Sequence, residues 1–193
     1  MAQNSLTDFQ KKIVVIGGSA GSLQVILHIL TYLRPDLNIP VVIILHRKND
    51  SDSSLSQLMG LRTSLPVKEA DDKEAILPGH IYLAPADYHL LIETDGYFSL
   101  DDSEKINFSR PSIDVTFQTA AEAYGAGVTG ILLSGANADG VEGLEIIKSL
   151  KGIIAVQDPK TAQVPYMPQH AVDSLPVDHL LTIEQIPGFI NRL

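Results

Sequence analysis

The strongest constraint on the fold is the stretch 11–30, in which an apolar run, a glycine-rich turn and a helical pattern follow one another directly. Residues 13–16 are continuously apolar, which is typical of a parallel strand buried on both faces, and 23–33 carry apolar residues at helical spacing. A strand, turn and helix in this order place the Ser19 hydroxyl at the positive end of the helix, beside free backbone N–H groups. Such a position suits either a bound anion or a serine nucleophile with an oxyanion hole.

The rest of the chain repeats this alternation of strand and helix. Further strands are predicted at 41–45, 66–69, 80–83, 89–93, 97–100, 128–133, 152–156 and 180–183, and further helices at 55–61, 112–124, 141–150, 167–175 and 184–193. The Asp95-Gly96 dipeptide predicts a hairpin, and we expect the middle of the chain to be more antiparallel than its ends. The alternation predicts the α/β class: a doubly wound, mainly parallel sheet with an antiparallel hairpin insertion.

Composition narrows the function classes. The 193 residues predict one domain over 11–193 after a short polar lead-in at 1–10. A net charge of -9 without a Lys/Arg cluster argues against a nucleic-acid partner, and the lack of cysteine excludes a thiolate nucleophile and a zinc-cysteine site. No signal peptide is visible and the apolar runs are only strand-length, so we expect a cytoplasmic protein that is not embedded in a membrane.

The turn Gly17-Gly-Ser-Ala-Gly21 matches the G-x-S-x-G pattern of a nucleophile elbow. A pattern this short also occurs by chance, and a turn that caps the helix through Ser19 or Ser22 is an alternative. A dinucleotide site is disfavoured, because the G-x-G-x-x-G spacing is not met and the second strand ends in His46 without an acidic residue to contact a ribose.

A serine nucleophile needs a base, and the base needs a carboxylate. His46 follows a buried strand and should emerge at the rim of the sheet, whereas the other histidines, His28, His80, His89, His170 and His179, are expected to be structural or exposed. Asp139 follows the strand 128–133, although it could instead cap the next helix. Asp158 is a rival carboxylate, and Asp114 is disfavoured because it lies in a helical pattern.

Taken together, these segments resemble the catalytic domain of the CheB-type chemotaxis protein-glutamate methylesterases over about Ile13 to Val177. The motifs that carry the resemblance are Ile16-Gly-Gly-Ser-Ala-Gly21, Leu45-His46, Leu77-Pro-Gly-His-Ile-Tyr-Leu-Ala-Pro85, Ser109-Arg-Pro-Ser-Ile-Asp-Val115 and Leu133-Ser-Gly-Ala-Asn-Ala-Asp-Gly140. The resemblance implies a Rossmann-like serine hydrolase that removes methyl groups from glutamyl side chains of chemoreceptors and in some members deamidates glutamine. It implies Ser19 as nucleophile, His46 as base and Asp139 as the carboxylate partner.

The chain departs from the family pattern at several positions. Ala20 stands where the best-known members have threonine after the nucleophile, Ala136 stands where a methionine lines the oxyanion region, and Tyr166 precedes Met-Pro where glycine is usual. The oxyanion is expected to be held by the turn Ser19–Gly21, including Ala20 and Gly21, and by Ala136 or its neighbours. The family's inhibitory receiver domain is not expected within this chain, so a separate receiver or signalling protein could control it.

Three functions therefore compete. The first is acyl transfer without metal or organic cofactor, acting on the methylated cytoplasmic domain of a chemoreceptor. The second is a degenerate esterase fold that binds a receptor or signalling partner without turnover, which the substitutions at Ala20 and Ala136 motivate. The third is phosphate or nucleotide binding at the first turn.

Overall fold

The fold is defined here by a computed structural model that describes residues 11–47 and 54–193. The predicted lead-in at 1–10 lies outside the described residues. Seven strands form one sheet in the order β3-β4-β2-β1-β7-β8-β9, and every pairing within it is parallel. These strands are β1 (Ile13–Gly18), β2 (Val41–Leu45), β3 (Val67–Glu69), β4 (Ile81–Leu83), β7 (Val128–Leu132), β8 (Ile153–Gln157) and β9 (His179–Leu181).

A separate antiparallel hairpin joins β5 (His89–Ile92) to β6 (Phe98–Asp101), and its Leu90, Ile92 and Phe98 are buried in the core. The hairpin and the doubly wound sheet are confirmed. The expectation of an antiparallel middle is wrong for β3 and β4, which pair in parallel with each other at the edge of the main sheet. A three-residue strand has too few residues for its pattern to indicate direction, which depends on the crossover that connects it.

Helices cover both faces of the sheet. They are α1 (Leu23–Tyr32), α2 (Ser54–Gly60), α3 (Ile113–Tyr124), α4 (Val141–Ser149), α5 (Tyr166–Ser174) and α6 (Gln185–Ile190). One buried cluster packs α1, α2 and α6 against one face, and a second packs α3, α4, α5 and the hairpin against the other. The last helix is shorter than predicted. None of the helices described is long and apolar enough to cross a bilayer.

The strand order brings chemistry to one edge. β1 lies between β2 and β7. The strands that precede the hairpin in the chain, β2, β3 and β4, lie on one side of β1, and those that follow it, β7, β8 and β9, lie on the other. In parallel α/β sheets, functional groups collect at the carboxyl ends of strands beside such a switch point. The loops after β1, β2 and β7, which carry the three predicted site residues, therefore share this edge.

Helices α3 and α4 approach closely at Gly143. A Cβ built on Gly143 would lie 2.5 Å from Cβ of Phe117 and 3.1 Å from the backbone of Asp114. We therefore expect Gly143→Ala to lower the free energy of unfolding by about 1–3 kcal/mol, because the helices must separate to admit the methyl group. Urea denaturation would measure this. The matched control is Gly60→Ala, since nothing lies within 4 Å of a Cβ at Gly60; equal effects of the two substitutions would contradict the prediction.

The same contact contains a buried carboxyl group. Asp114 accepts hydrogen bonds from the Gly143 N–H at 2.7 Å and from the Asn107 side-chain amide at 3.1 Å. Burial raises the pKa of Asp114, the hydrogen bond from Gly143 lowers it, and the neighbouring charge of Asp139 raises it again, to about 7 from an ordinary 3.8. Between these two pH values the folded chain therefore holds a proton at Asp114 that the unfolded chain has lost.

This extra proton predicts a pH dependence of stability. The contribution of Asp114 is fully present below its unfolded pKa and is lost as the pH rises through its folded pKa, so wild type should lose stability between about pH 4 and about pH 7. We expect Asp114→Asn to lose less over that range. Urea unfolding of both proteins at several pH values measures the difference between their free energies of unfolding. The contributions of the histidines are common to both proteins and cancel in this difference. Parallel curves for the two proteins would rule out a raised pKa at Asp114.

Candidate active site

The turn after β1 holds Ser19 by its backbone. The Ser19 N–H donates to the Ser134 carbonyl at 2.9 Å, and the Ser22 hydroxyl donates to the Ser19 carbonyl at 2.6 Å. Ser22 makes no side-chain cap on α1. Ser19 is half-buried, and its hydroxyl has no hydrogen-bond partner among residues 11–47 and 54–193. The sequence left open that the side chain of Ser19 or Ser22 caps α1. Neither side chain does so in the structure.

Glycine is required at position 21. Gly21 has φ +79, and a Cβ there would lie 2.7 Å from Cβ of Gln163 and 2.8 Å from the Ser134 hydroxyl oxygen. That hydroxyl donates to the Ala20 carbonyl at 2.7 Å and accepts from the Val164 N–H at 2.9 Å. The loop after β7 and the segment before α5 therefore clamp the turn.

The backbone N–H groups predicted to bind the oxyanion differ in whether they already donate a hydrogen bond within the described chain. The Ser19 N–H is committed to Ser134, as described above. The N–H groups of Ala20, Gly21 and Ala136 have no acceptor within the part of the chain that the structure describes, and Ala20 and Ala136 are exposed. The N–H of the residue after a nucleophilic serine is the usual oxyanion donor of an elbow, so Ala20 has the free group that this chemistry needs.

His46 lies beside Ser19 by strand register. Gly18 pairs with Leu45 across β1 and β2, and the His46 N–H donates to the Gly18 carbonyl at 3.1 Å. Ser19 and His46 are thus the next residues along two neighbouring parallel strands. The His46 side chain is 10% exposed, so its ring sits at the rim of the sheet as the sequence predicts.

The imidazole of His46 is hydrogen-bonded to Asp139. Nε2 of His46 lies 2.7 Å from Oδ2 of Asp139, whose side chain is fully buried. The same carboxylate accepts from the N–H groups of Ile113 at 2.8 Å and Asp114 at 3.1 Å, and from the Ser112 hydroxyl at 3.0 Å. Asp139 therefore caps α3 from outside; it does not cap α4, where Gly140 is the N-cap.

These donors keep Asp139 ionised. Burial alone raises the pKa of Asp139, but the hydrogen bond from His46 and those from the backbone of Ile113 and Asp114 outweigh it and lower the pKa to about 2. An ionised carboxylate only accepts hydrogen bonds, so Nε2 of His46 carries the proton and Nδ1 is the acceptor of the neutral ring. The arrangement can therefore orient an imidazole whose Nδ1 takes up a proton.

Sequence reasoning missed the groups around this pair. Ser109 places its hydroxyl oxygen 3.3 Å from Nδ1 of His46, and Ser112 binds Asp139. His89 is buried, accepts from the Ser112 N–H at 3.1 Å and donates to the Glu104 carbonyl at 3.0 Å. Its expected structural role agrees with these bonds. The signal for the two serines was their place in the motif Ser109–Val115, which carries no chemistry on its own.

The rival residues have other partners. Asp158 accepts from the Lys160 N–H at 2.9 Å and caps the short 3-10 turn Pro159–Thr161. The four remaining histidines each lie against an aromatic ring: His28 on Tyr32, His80 on Tyr82, His170 on Tyr166 and His179 on Phe189. None of these positions brings a second base or carboxylate to His46.

One open groove borders the turn and a second lies on α5. One of about 340 Å³ borders Gly21 and runs between α1 and the segment 161–163, and another of about 410 Å³ lies against Val164 and Tyr166. A further cavity of about 660 Å³ lies at the opposite edge of the sheet, between Lys12, Arg34 and Tyr97. The described residues hold no group of three or more His, Asp or Glu side chains that could bind a metal ion.

Comparison with known proteins gives one consistent result. A protein of Leptospira interrogans named putative protein-glutamate methylesterase/protein-glutamine glutaminase is 43% identical over 180 residues, which are 93% of this chain and 93% of that protein. Relatives of the same activity name, without "putative", from Hydrogenovibrio crunogenus and Thermotoga maritima are 35% and 34% identical. The chain spans about half of their lengths, 51% and 54%. Both activities in these names are hydrolytic.

The fold agrees. The crystal structure of the Thermotoga maritima CheB methylesterase catalytic domain matches with a TM-score of 0.90 at 34% identity, over 94% of this chain and 97% of that one. The family model described as CheB methylesterase matches residues 14–190. The chain therefore belongs to the CheB methylesterase family.

Proposed function

We propose that this chain hydrolyses γ-methyl esters of glutamyl side chains in a protein, the methylated cytoplasmic domain of a chemoreceptor, by acyl transfer through Ser19. The observation that supports this most is the 2.7 Å hydrogen bond between His46 and the ionised Asp139, at the strand edge where Ser19 ends β1. The names of the relatives support the choice of substrate.

In the first step, the Ser19 hydroxyl attacks the ester carbonyl while Nδ1 of His46 takes its proton. A new bond forms between the Ser19 oxygen and the acyl carbon, and negative charge develops on the former carbonyl oxygen. The free N–H of Ala20 donates to that oxyanion, with Gly21 or Ala136 as a second donor; each such donor lowers the barrier by about 3–4 kcal/mol in favourable sites. Asp139 stabilises the imidazolium through Nε2.

In the second step, the proton on Nδ1 passes to the leaving methoxy group and methanol departs. A water molecule then attacks the acyl-enzyme with His46 again as base, which releases the glutamate carboxylate and restores Ser19. The same sequence applied to a glutamine side chain would release ammonia. The two ring nitrogens of His46 contact Ser109 and Asp139 in this structure, and a bond between a nucleophile and its base often tightens only in the substrate complex.

The decisive experiment concerns Ser19. We expect Ser19→Ala to abolish both methanol release from a methylated receptor domain and covalent labelling by a fluorophosphonate probe, because no other described hydroxyl has the elbow geometry. Ser149→Ala, which changes an exposed serine at the end of α4, is the matched control and should keep both signals.

Two other results are informative. Probe labelling and turnover that survive Ser19→Ala would overturn the assignment of the nucleophile. A wild-type protein that is folded but neither labels nor releases methanol would support the degenerate binding module instead.

A further inference from the structure

A hydroxyl other than that of Ser19 lies at the ring nitrogen of His46 that does not face Asp139. Nε2 of His46 is committed to Asp139, so Nδ1 has the only free lone pair of the neutral ring. In the structure the Ser109 hydroxyl lies 3.3 Å from Nδ1, whereas the Ser19 hydroxyl has no partner among the described residues. A single lone pair accepts one strong hydrogen bond at a time.

We propose that Ser109 is a positioning residue that occupies Nδ1 of His46 in the resting enzyme and has to release it before Ser19 is activated. The inference rests on the proposed function, since it takes Nδ1 as the base. When substrate binds, the Ser109 hydroxyl rotates away and the Ser19 hydroxyl donates to Nδ1 in its place. After proton transfer, Nδ1 carries the proton that it later passes to the leaving group.

Ser109 is held in place by its surroundings. Ile106 and Ser109 exchange two backbone hydrogen bonds, of 3.2 and 2.9 Å, across a tight turn. The Asn107 amide within that turn donates to the buried Asp114 at 3.1 Å. Asp114 in turn is anchored to α4 through Gly143. The Ser109 hydroxyl is therefore delivered to His46 from a fixed turn.

The test compares Ser109→Ala with Ser109→Thr by the rate of fluorophosphonate labelling at Ser19. Loss of one competing hydrogen bond should speed labelling of Ser109→Ala by about three- to tenfold, while Ser109→Thr, which keeps the hydroxyl, should stay within about twofold of wild type.

The outcomes separate this inference from the proposed function. Labelling of Ser109→Ala that is unchanged or slower, with wild type labelling normally, would overturn the role of Ser109 and leave the esterase proposal standing. Wild type that fails to label would instead remove the proposed function. Faster labelling in Ser109→Ala but not in Ser109→Thr supports the inference.

An independent observation concerns the next residue. Phe108 is 97% exposed and has φ +64, after Asn107 with φ +50. Positive φ at both central positions is a type I′ turn, in which glycine is preferred at the second position and a bulky side chain is strained. Phe108 thus combines backbone strain with full exposure of an aromatic ring, beside the residue that contacts His46. Strain of this kind concentrates at functional sites.

We infer that Phe108 contacts the polypeptide that carries the ester, on an apolar surface next to the modified side chain. This too rests on the proposed function. A protein whose glutamyl side chain reaches Ser19 must lie outside the carboxyl ends of the strands, and the Ile106–Ser109 turn is at that end because Ser109 contacts His46. No contact within the described chain accounts for the ring.

Phe108→Gly tests this inference, because glycine relieves the strain and removes the ring. We expect KM for a methylated receptor domain to rise about tenfold, with the rate of fluorophosphonate labelling unchanged and the melting temperature raised or equal. Tyr32→Ala, an exposed aromatic at the end of α1, is the control and should leave KM unaltered. A KM within twofold of wild type, or an equal loss of labelling, would overturn the role of Phe108.

Discussion

A fully buried carboxylate, that of Asp139, is the interaction on which the arrangement of this edge depends. An ionised group without solvent is strongly unfavourable unless hydrogen bonds replace its hydration. Here the backbone at the start of α3, the Ser112 hydroxyl and the His46 ring supply them. The positive end of the α3 dipole adds to this. The charge therefore fixes both where α3 begins and how the imidazole is turned.

The strand order brings Ser19, His46 and Asp139 to the same end of the sheet. Because β1 lies between β2 and β7, the residues that follow these three strands meet at one edge, and the register of β1 on β2 sets Ser19 beside His46. The loop after β7 contributes twice: Ser134 binds the turn that holds Ser19, and Asp139 binds His46. One loop thus determines the positions of both partners.

Sequence patterns predicted those features of the structure that depend on residues close together in the chain. The strand ends at Ser19, His46 and the loop of Asp139, the hairpin and most helices all follow from apolar periodicity and turn residues. The patterns could not predict pairings across space. They gave the wrong direction for the middle strands β3 and β4, offered the next helix as the one that Asp139 could cap when it binds the start of α3, and passed over Ser109. Each of these depends on which loops meet, and no local spacing encodes that.

The orientation of the imidazole connects these observations. In the chymotrypsin arrangement Nε2 faces the serine and Nδ1 faces the carboxylate, whereas here Nε2 binds Asp139. Nδ1 is the ring nitrogen nearer the backbone of His46, so a hydroxyl that reaches it must come from a residue close to that backbone. The adjacent strand end lies next to that backbone, because the His46 N–H is bonded to the carbonyl of Gly18, the residue before Ser19, and the Ser109 hydroxyl lies 3.3 Å from Nδ1. A serine directly after β1, next to a histidine directly after β2, is therefore an arrangement that suits a ring whose Nε2 faces the carboxylate.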